Sequence, residues 1–349
     1  MKAIEDCVDH KNYVLGKEVK DFESEYSKYN KVKYSLGVAN GLDALHLALV
    51  SLGITVGDEV IVPSNTFIAT VMAISYTGAT PIFVEPNIRT YNLDPLKIEE
   101  KITSKTKAIV PVHLYGQACQ MDLIMDISKK YTLYIIEDNA QAHGATFNAK
   151  PTGSFGDVNA TSFYPSKNLG ALGDAGAITT NAKKIYTTCL ALRNYGSHKK
   201  YYNKIIGYNS RLDELQASVL SVKLAFMNTW TQERIQLALW YTEELKELTH
   251  IVLPHIAKGA THVYHLYTIR TTKRNQLQKY LHSKSIETLI HYPIPPHLQQ
   301  AFRPLGYKKG DFPIAEKIAE TTLSLPLYIG MTREQVAIVS QHIKQFFNM

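Results

Sequence analysis

The stretch Ser162–Ala177, SFYPSKNLGALGDAGA, places one lysine, Lys167, among aromatic, small and glycine residues rather than on a charged surface. Apolar surroundings disfavour the ammonium form and leave a nucleophilic amine. Taken alone, any lysine is more often a solvated side chain, so its neighbours must decide. On either side lie the strand-type runs Ala160–Tyr164 and Ala177–Thr180. Upstream, short Val/Ile-rich runs at Tyr34–Val38, Glu59–Val62, Pro81–Glu85, Ala108–Val112 and Leu133–Glu137 alternate with helical patterns at residues 18–29, Gly41–Leu52, Asn65–Tyr76 and Leu123–Tyr131. Apolar strands separated by helices predict an α/β fold, with a mainly parallel sheet buried on both faces.

Downstream the pattern changes. A long helical region runs from Leu212 to about Leu248, and after Pro254 the segment His262–Arg270 (HVYHLYTIR) alternates like a half-buried strand. Helices are expected at about 273–284, 313–321 and 332–346. We therefore expect a large domain over residues 1–235 and a smaller C-terminal α+β domain over 236–349, with the boundary inside the long helix. A chain of 349 residues is long enough for both.

Composition narrows the function classes. Lys and Arg number 38 against 31 Asp and Glu, a net charge of +7. The positive residues are dispersed, without an arginine-rich arm or an aromatic-interleaved basic stripe. They suit small phosphorylated ligands rather than nucleic acid, or simply solubility. Cys7, Cys119 and Cys189 are widely spaced and form no disulfide framework or metal cluster, and the expected compartment is a reducing cytoplasm. The N-terminus (MKAIEDCVDHKNY) lacks an apolar signal core, and no apolar run is long enough to span a membrane. GxGxxG after the first strand, GxxxxGK[ST], HExxH and GxSxG are all missing, which weakens the dehydrogenase, nucleotide-hydrolase, zinc-protease and serine-hydrolase readings.

Three further elements stand beside Lys167. Glu137-Asp138 ends a strand, where open α/β sheets bind ligands, with Gln141 and His143 just beyond; a capping aspartate is the plain alternative. GVANGLDAL (37–45) runs from strand into helix and offers the amides of Gly41, Leu42 and Asp43 to a phosphate, or is an ordinary Asn-Gly turn. In SNTFIAT (64–70), Phe67 is a core residue or a ring for stacking on an aromatic cofactor. Ser162, five residues before Lys167, offers a hydroxyl to a phosphate. A lysine for a Schiff base, an aspartate for a pyridinium nitrogen and a phosphate cup together are what pyridoxal 5'-phosphate (PLP) requires.

Through GDEVIVPSNTFIAT, KAIVPVHLYGQ, IEDNAQAHG, SFYPSKNLGALGDAGA, LRNYGS, GYNSRLDELQA and HYPIPPHLQQAF, the chain resembles the DegT/DnrJ/EryC1/StrS nucleotide-sugar aminotransferases, fold type I PLP enzymes, over essentially its full length. The resemblance implies that Lys167 bears the cofactor and that Asp138 faces its ring nitrogen. It further implies Gln141 at the ring hydroxyl, Phe67 over the ring, and Ser162 with Gly41, Leu42 and Asp43 at the phosphate. Asn209 is implied to reach the phosphate of the neighbouring subunit in a homodimer, and His291 and Tyr292 to lie at the sugar. NGLDALHL, ATPIFVEPNIRTYNLDP, LIHYPIPPHLQQAF and GDFPIAEKIAETTLSLP resemble the subgroup acting at sugar carbon 3. This implies transfer from L-glutamate to a dTDP-3-keto-6-deoxyhexose, giving 3-amino-3,6-dideoxyhexoses for surface polysaccharides. Three positions depart from the family pattern: Leu42 stands where Thr is usual, Asn139 where Ala is, and Ala175 where Gly is. The rivals are a C4 aminotransferase, a sugar dehydratase (which carries His in place of Lys167), a non-catalytic regulator and a dinucleotide-dependent reductase.

Overall fold

A computed structural model describes residues 1–9 and 11–348. At its centre is a seven-stranded sheet of β1 (Tyr34–Val38), β2 (Glu59–Pro63), β3 (Thr80–Val84), β4 (Thr106–Ile109), β5 (Tyr134–Asp138), β6 (Val158–Ser162) and β7 (Gly176–Thr180), ordered β1-β7-β6-β5-β4-β2-β3. Only β7 runs against its neighbours, pairing antiparallel with β1 and β6; the remaining pairings are parallel.

Strand alternation explains why these runs contain so little polar sequence. Val60 and Val62 of β2, Ala108 of β4 and Ile136 of β5 enter one core, with helices α3 (Gly41–Ser51) and α4 (Ile68–Tyr76) packed over it. Ile61, Ile109 and Ile135 enter a second core on the opposite face, under α5 (Met121–Tyr131). Both faces are covered, so both sets of side chains must be apolar. Helices α1 (Lys2–Asp9), α2 (Lys17–Tyr29), α6 (Lys183–Leu192) and α7 (Glu214–Leu224) complete the N-terminal part.

Another core begins at Leu237, within α8 (Met227–Leu245). It gathers the antiparallel pair β8 (Tyr267–Arg270) and β9 (Thr322–Leu325) with α9 (Arg274–His282) and α11 (Arg333–Phe347). The chain then returns to the large sheet, since Phe302, Phe312 and Ala315 join the core beneath α3, the last of them from α10 (Pro313–Thr321).

Local differences from the sequence expectation have identifiable causes. The expected helix over 212–248 is two helices, broken at Ala225–Phe226, where the Phe226 ring stacks on Trp230 instead of entering a core. The expected strand over 262–270 begins only at Tyr267, because the amides of Val263 and Leu266 bond to the carbonyls of Gly116 and Tyr115. The helix expected from Asn65 starts at Ile68. Asn65 donates to the Tyr91 carbonyl and Phe67 is extended, so residues 64–67 form a turn that carries Phe67 to the sheet edge.

Candidate active site

A cavity of about 550 Å³ opens at the carboxyl ends of β5 and β6. Gly41, Leu42, Phe67, Asp138, Gln141, Ser162, Lys167, His291 and Tyr292 all line it. These residues come from five separate stretches of chain, so the fold rather than local sequence brings them together.

The start of α3 forms one end. Asn40 caps the helix, its side chain accepting from the Asp43 amide at 2.8 Å. The amides of Gly41 and Leu42 face no such side chain, whereas Asp43, expected at the phosphate, has its amide engaged and does not line the cavity. A Cβ on Gly41 would stand 2.6 Å from Cβ of Ser162, and one on Gly176 would stand 2.4 Å from the Asn40 carbonyl oxygen. Glycine is thus required for the helix start to meet the ends of β6 and β7.

Asp138 is buried. Its carboxylate accepts from the Thr70 hydroxyl at 2.8 Å and the Ala140 amide at 3.1 Å. Burial pushes this carboxyl above the ordinary aspartate range, against the pull of those two donors and of Lys167. Lys167 moves the other way: burial lowers its ammonium to about 8, with Asp138 as the charge opposing the shift. Its local turn is fixed by its own amide, which donates to the Tyr164 carbonyl at 2.8 Å.

The far wall comes from the C-terminal part. Gln141 accepts from the Tyr115 amide at 2.7 Å and donates to the Tyr292 hydroxyl at 3.0 Å. Phe67, 48% exposed, leans on Tyr292 with ring centroids 5.1 Å apart. The Tyr115 hydroxyl donates to the His291 carbonyl, and the His291 ring lies 2.9 Å from the Ser324 hydroxyl. Burial, then the charge of Lys167, lowers His291 to about 4. Asn209 does not line this cavity; it is exposed and bridged through its backbone to Asn194.

Sequence reading missed Thr70, although it falls within the quoted SNTFIAT, because nothing there signals its reach to Asp138. It also missed His265, which lines the cavity deeply buried and is held neutral by burial and the nearby Lys167. The run HVYHLY alternates like a strand, and that pattern hid the residue. The departures from the family pattern fall differently: Leu42 stands at the cavity, whereas Asn139 and Ala175 are buried in packing.

The donor set fits PLP. Amides at a helix N-terminus suit a phosphate, a buried carboxylate suits a protonated ring nitrogen, and a lysine whose ammonium is lowered to about 8 suits an aldehyde. Phe67 stands at the mouth as an aromatic wall.

The sequence profile of the DegT/DnrJ/EryC1/StrS aminotransferase family matches residues 1–344. An Aneurinibacillus thermoaerophilus protein, dTDP-3-amino-3,6-dideoxy-alpha-D-galactopyranose transaminase, is 54% identical over 334 residues, covering 96% of this chain and 91% of its own. A Geobacillus stearothermophilus protein named pleiotropic regulatory protein is 44% identical, covering 99% and 94%. The crystal structure of S. venezuelae DesV in complex with a ketimine intermediate superposes with a TM-score of 0.98 at 43% identity, covering all of this chain and 94% of DesV. Other solved relatives carry the cofactor in its PLP or amine (PMP) form.

Proposed function

Because the chain belongs to the DegT/DnrJ/EryC1/StrS family of PLP-dependent sugar aminotransferases, we propose that it transfers an amino group from L-glutamate to C3 of a dTDP-3-keto-6-deoxyhexose. The product is a dTDP-3-amino-3,6-dideoxyhexose destined for surface polysaccharide. The substrate follows the printed activity of the 54%-identical relative. The observation that carries the chemistry is Lys167, with an amine lowered to about 8, sharing one cavity with buried Asp138.

Each residue has a task. Gly41, Leu42 and Ser162 hold the cofactor phosphate, with Asp43 supporting the helix start through its bond to Asn40. Asp138, oriented by Thr70, keeps the ring nitrogen protonated. Gln141 sits at the ring hydroxyl and Phe67 covers the ring. Bound PLP supplies an electron-accepting ring that makes the Cα–H of the amino donor acidic. Nζ of Lys167 accepts that proton and, in the second half of the cycle, delivers one to sugar C3. His291 and Tyr292 position the sugar. Leu42, lacking the usual hydroxyl, leaves the phosphate to backbone amides and Ser162.

In this reading the enzyme is a cytoplasmic homodimer, each Asn209 completing the partner's phosphate site. Its exposed position outside its own cavity supports that role. Residues 1–235 form the cofactor-binding domain and 236–349 the small domain, a division supported by the core that starts at Leu237. No helix among the described residues is long and apolar enough to cross a membrane.

The test is the visible spectrum of the purified protein with PLP, before and after L-glutamate. A lysine-bound cofactor band that converts to the PMP form supports the first half-reaction, and a panel of dTDP-keto-sugars then tests the second. Failure to form the band overturns the assignment of Lys167; a band indifferent to glutamate overturns the donor.

A further inference from the structure

Away from the active site, a second cavity of about 410 Å³ lies between β8, α10 and the end of α11. Its polar side holds Arg270, Lys273 and Lys317 with the hydroxyl residues Thr271 and Thr321, and no aspartate or glutamate lines it. Arg270 is the telling member. It is only 8% exposed, yet among the described residues no carboxylate pairs with its guanidinium: Nε donates to the Tyr91 hydroxyl at 3.3 Å, and the group lies 5.8 Å from the centre of the Tyr91 ring. The two terminal amines make no hydrogen bond among the described residues, and the residue lines open space. A buried guanidinium is ordinarily paired, because removing its charge from water is unfavourable. Lys273 and Lys317, both exposed, line the same cavity and add positive charge that favours an anion there.

Two rings line the same cavity. The His250 and Phe347 rings stack with centroids 5.1 Å apart and planes 13° from parallel. A guanidinium fork with two ammonium groups recognises phosphate oxygens, and an aromatic wall takes a planar base.

We propose that this cavity is a second ligand site, binding a nucleoside phosphate with its phosphates on Arg270, Lys273 and Lys317 and its base against His250 and Phe347. The site is built within one protomer and is separate from the residues around Lys167.

Adenosine diphosphate and inorganic pyrophosphate serve as probes in calorimetric titrations of the PLP-loaded enzyme. The expected result for adenosine diphosphate is a class of sites, one per protomer, that weakens at least tenfold in the Lys273→Glu/Lys317→Glu double variant and with rising salt. The visible spectrum and the transamination rate without the probe should be unchanged in that variant. Pyrophosphate should bind the same class more weakly, for lack of the base; equal affinity would overturn the nucleoside assignment. Identical adenosine diphosphate isotherms for wild type and double variant, or no binding at millimolar probe, would overturn the site. Phe347→Ala, which leaves every charge in place, should weaken adenosine diphosphate but not pyrophosphate. This variant tests the site independently should charge reversal disturb folding.

Discussion

Glu137 and Asp138 are adjacent carboxylates at the end of one strand, yet alternation sends them to opposite faces of the sheet. Glu137 points away from the cavity into a closed knot. It accepts from the amides of Gly153, Phe155 and Gly156 at 2.6–2.9 Å, and from His113 at 2.8 Å, with both side chains fully buried. Because the Cys119 amide donates to the other His113 nitrogen at 3.0 Å, a neutral imidazole with its proton on Nε2 satisfies every partner. Asp138 instead accepts one hydroxyl and one amide, and the cavity holding Lys167 lies before it. The first acid is saturated by the protein and serves the fold; the second retains acceptor capacity for something the protein does not supply.

That contrast can be broken experimentally, beginning with the amine that Asp138 faces. Lys167→Ala should reduce turnover by more than about a thousandfold, since proton transfer and nucleophilic capture are both lost, with the thermal melt nearly unchanged. Retained turnover would remove Lys167 from the chemistry. Asp138→Asn should lower kcat by roughly a hundredfold or more with little loss of stability, because its packing and its Thr70 contact survive. Glu137→Gln should behave in the opposite way, losing about 3 kcal/mol in urea unfolding as a buried, four-donor acceptor is replaced, while the folded fraction keeps kcat within a few-fold. If the two acids exchanged these behaviours, the division between fold and chemistry would fail.

The lysine adds a pH signature. Its ammonium is lowered to about 8, so the free amine is the major form above that pH and falls about tenfold per unit below it. The rate at which apoenzyme captures PLP should therefore rise about tenfold per pH unit up to about 8 and then level. A profile that continued to climb towards the ordinary lysine range would contradict the buried environment. The smallest effect should come from Thr70→Val, which removes two hydrogen bonds, to Asp138 and from Thr66, each worth about 1 kcal/mol, and should slow turnover by a few-fold, with normal cofactor stoichiometry.

The central sheet was legible because most of its strands are apolar runs, a composition that burial on both faces favours, with VNATS at 158–162 the polar exception. Asp138 and Lys167 were legible because each breaks the apolar pattern at a strand end or in a glycine-rich turn. Thr70 and His265 were not, since a threonine in a helix and a histidine in an alternating segment look the same whether or not they reach a cavity. The break at Ala225–Phe226 was equally hidden, because neither residue is a helix breaker by propensity. Arg270 closed a strand pattern unremarkably, and only its lack of a carboxylate partner among the described residues gives it meaning.

The meeting of Gly41 with Ser162, and of Gly176 with Asn40, leaves no room for even one methyl group. That end of the cavity is therefore a fixed jaw, locked to the sheet by close backbone approach. His291 and Tyr292 form the other jaw, carried on a segment held through Ser324 of β9 and through Tyr115. With the proposed roles, anchoring and selection fall to different parts of the chain, so that sugar preference would drift through changes around residues 289–325 while the grip on the common phosphate stays as it is.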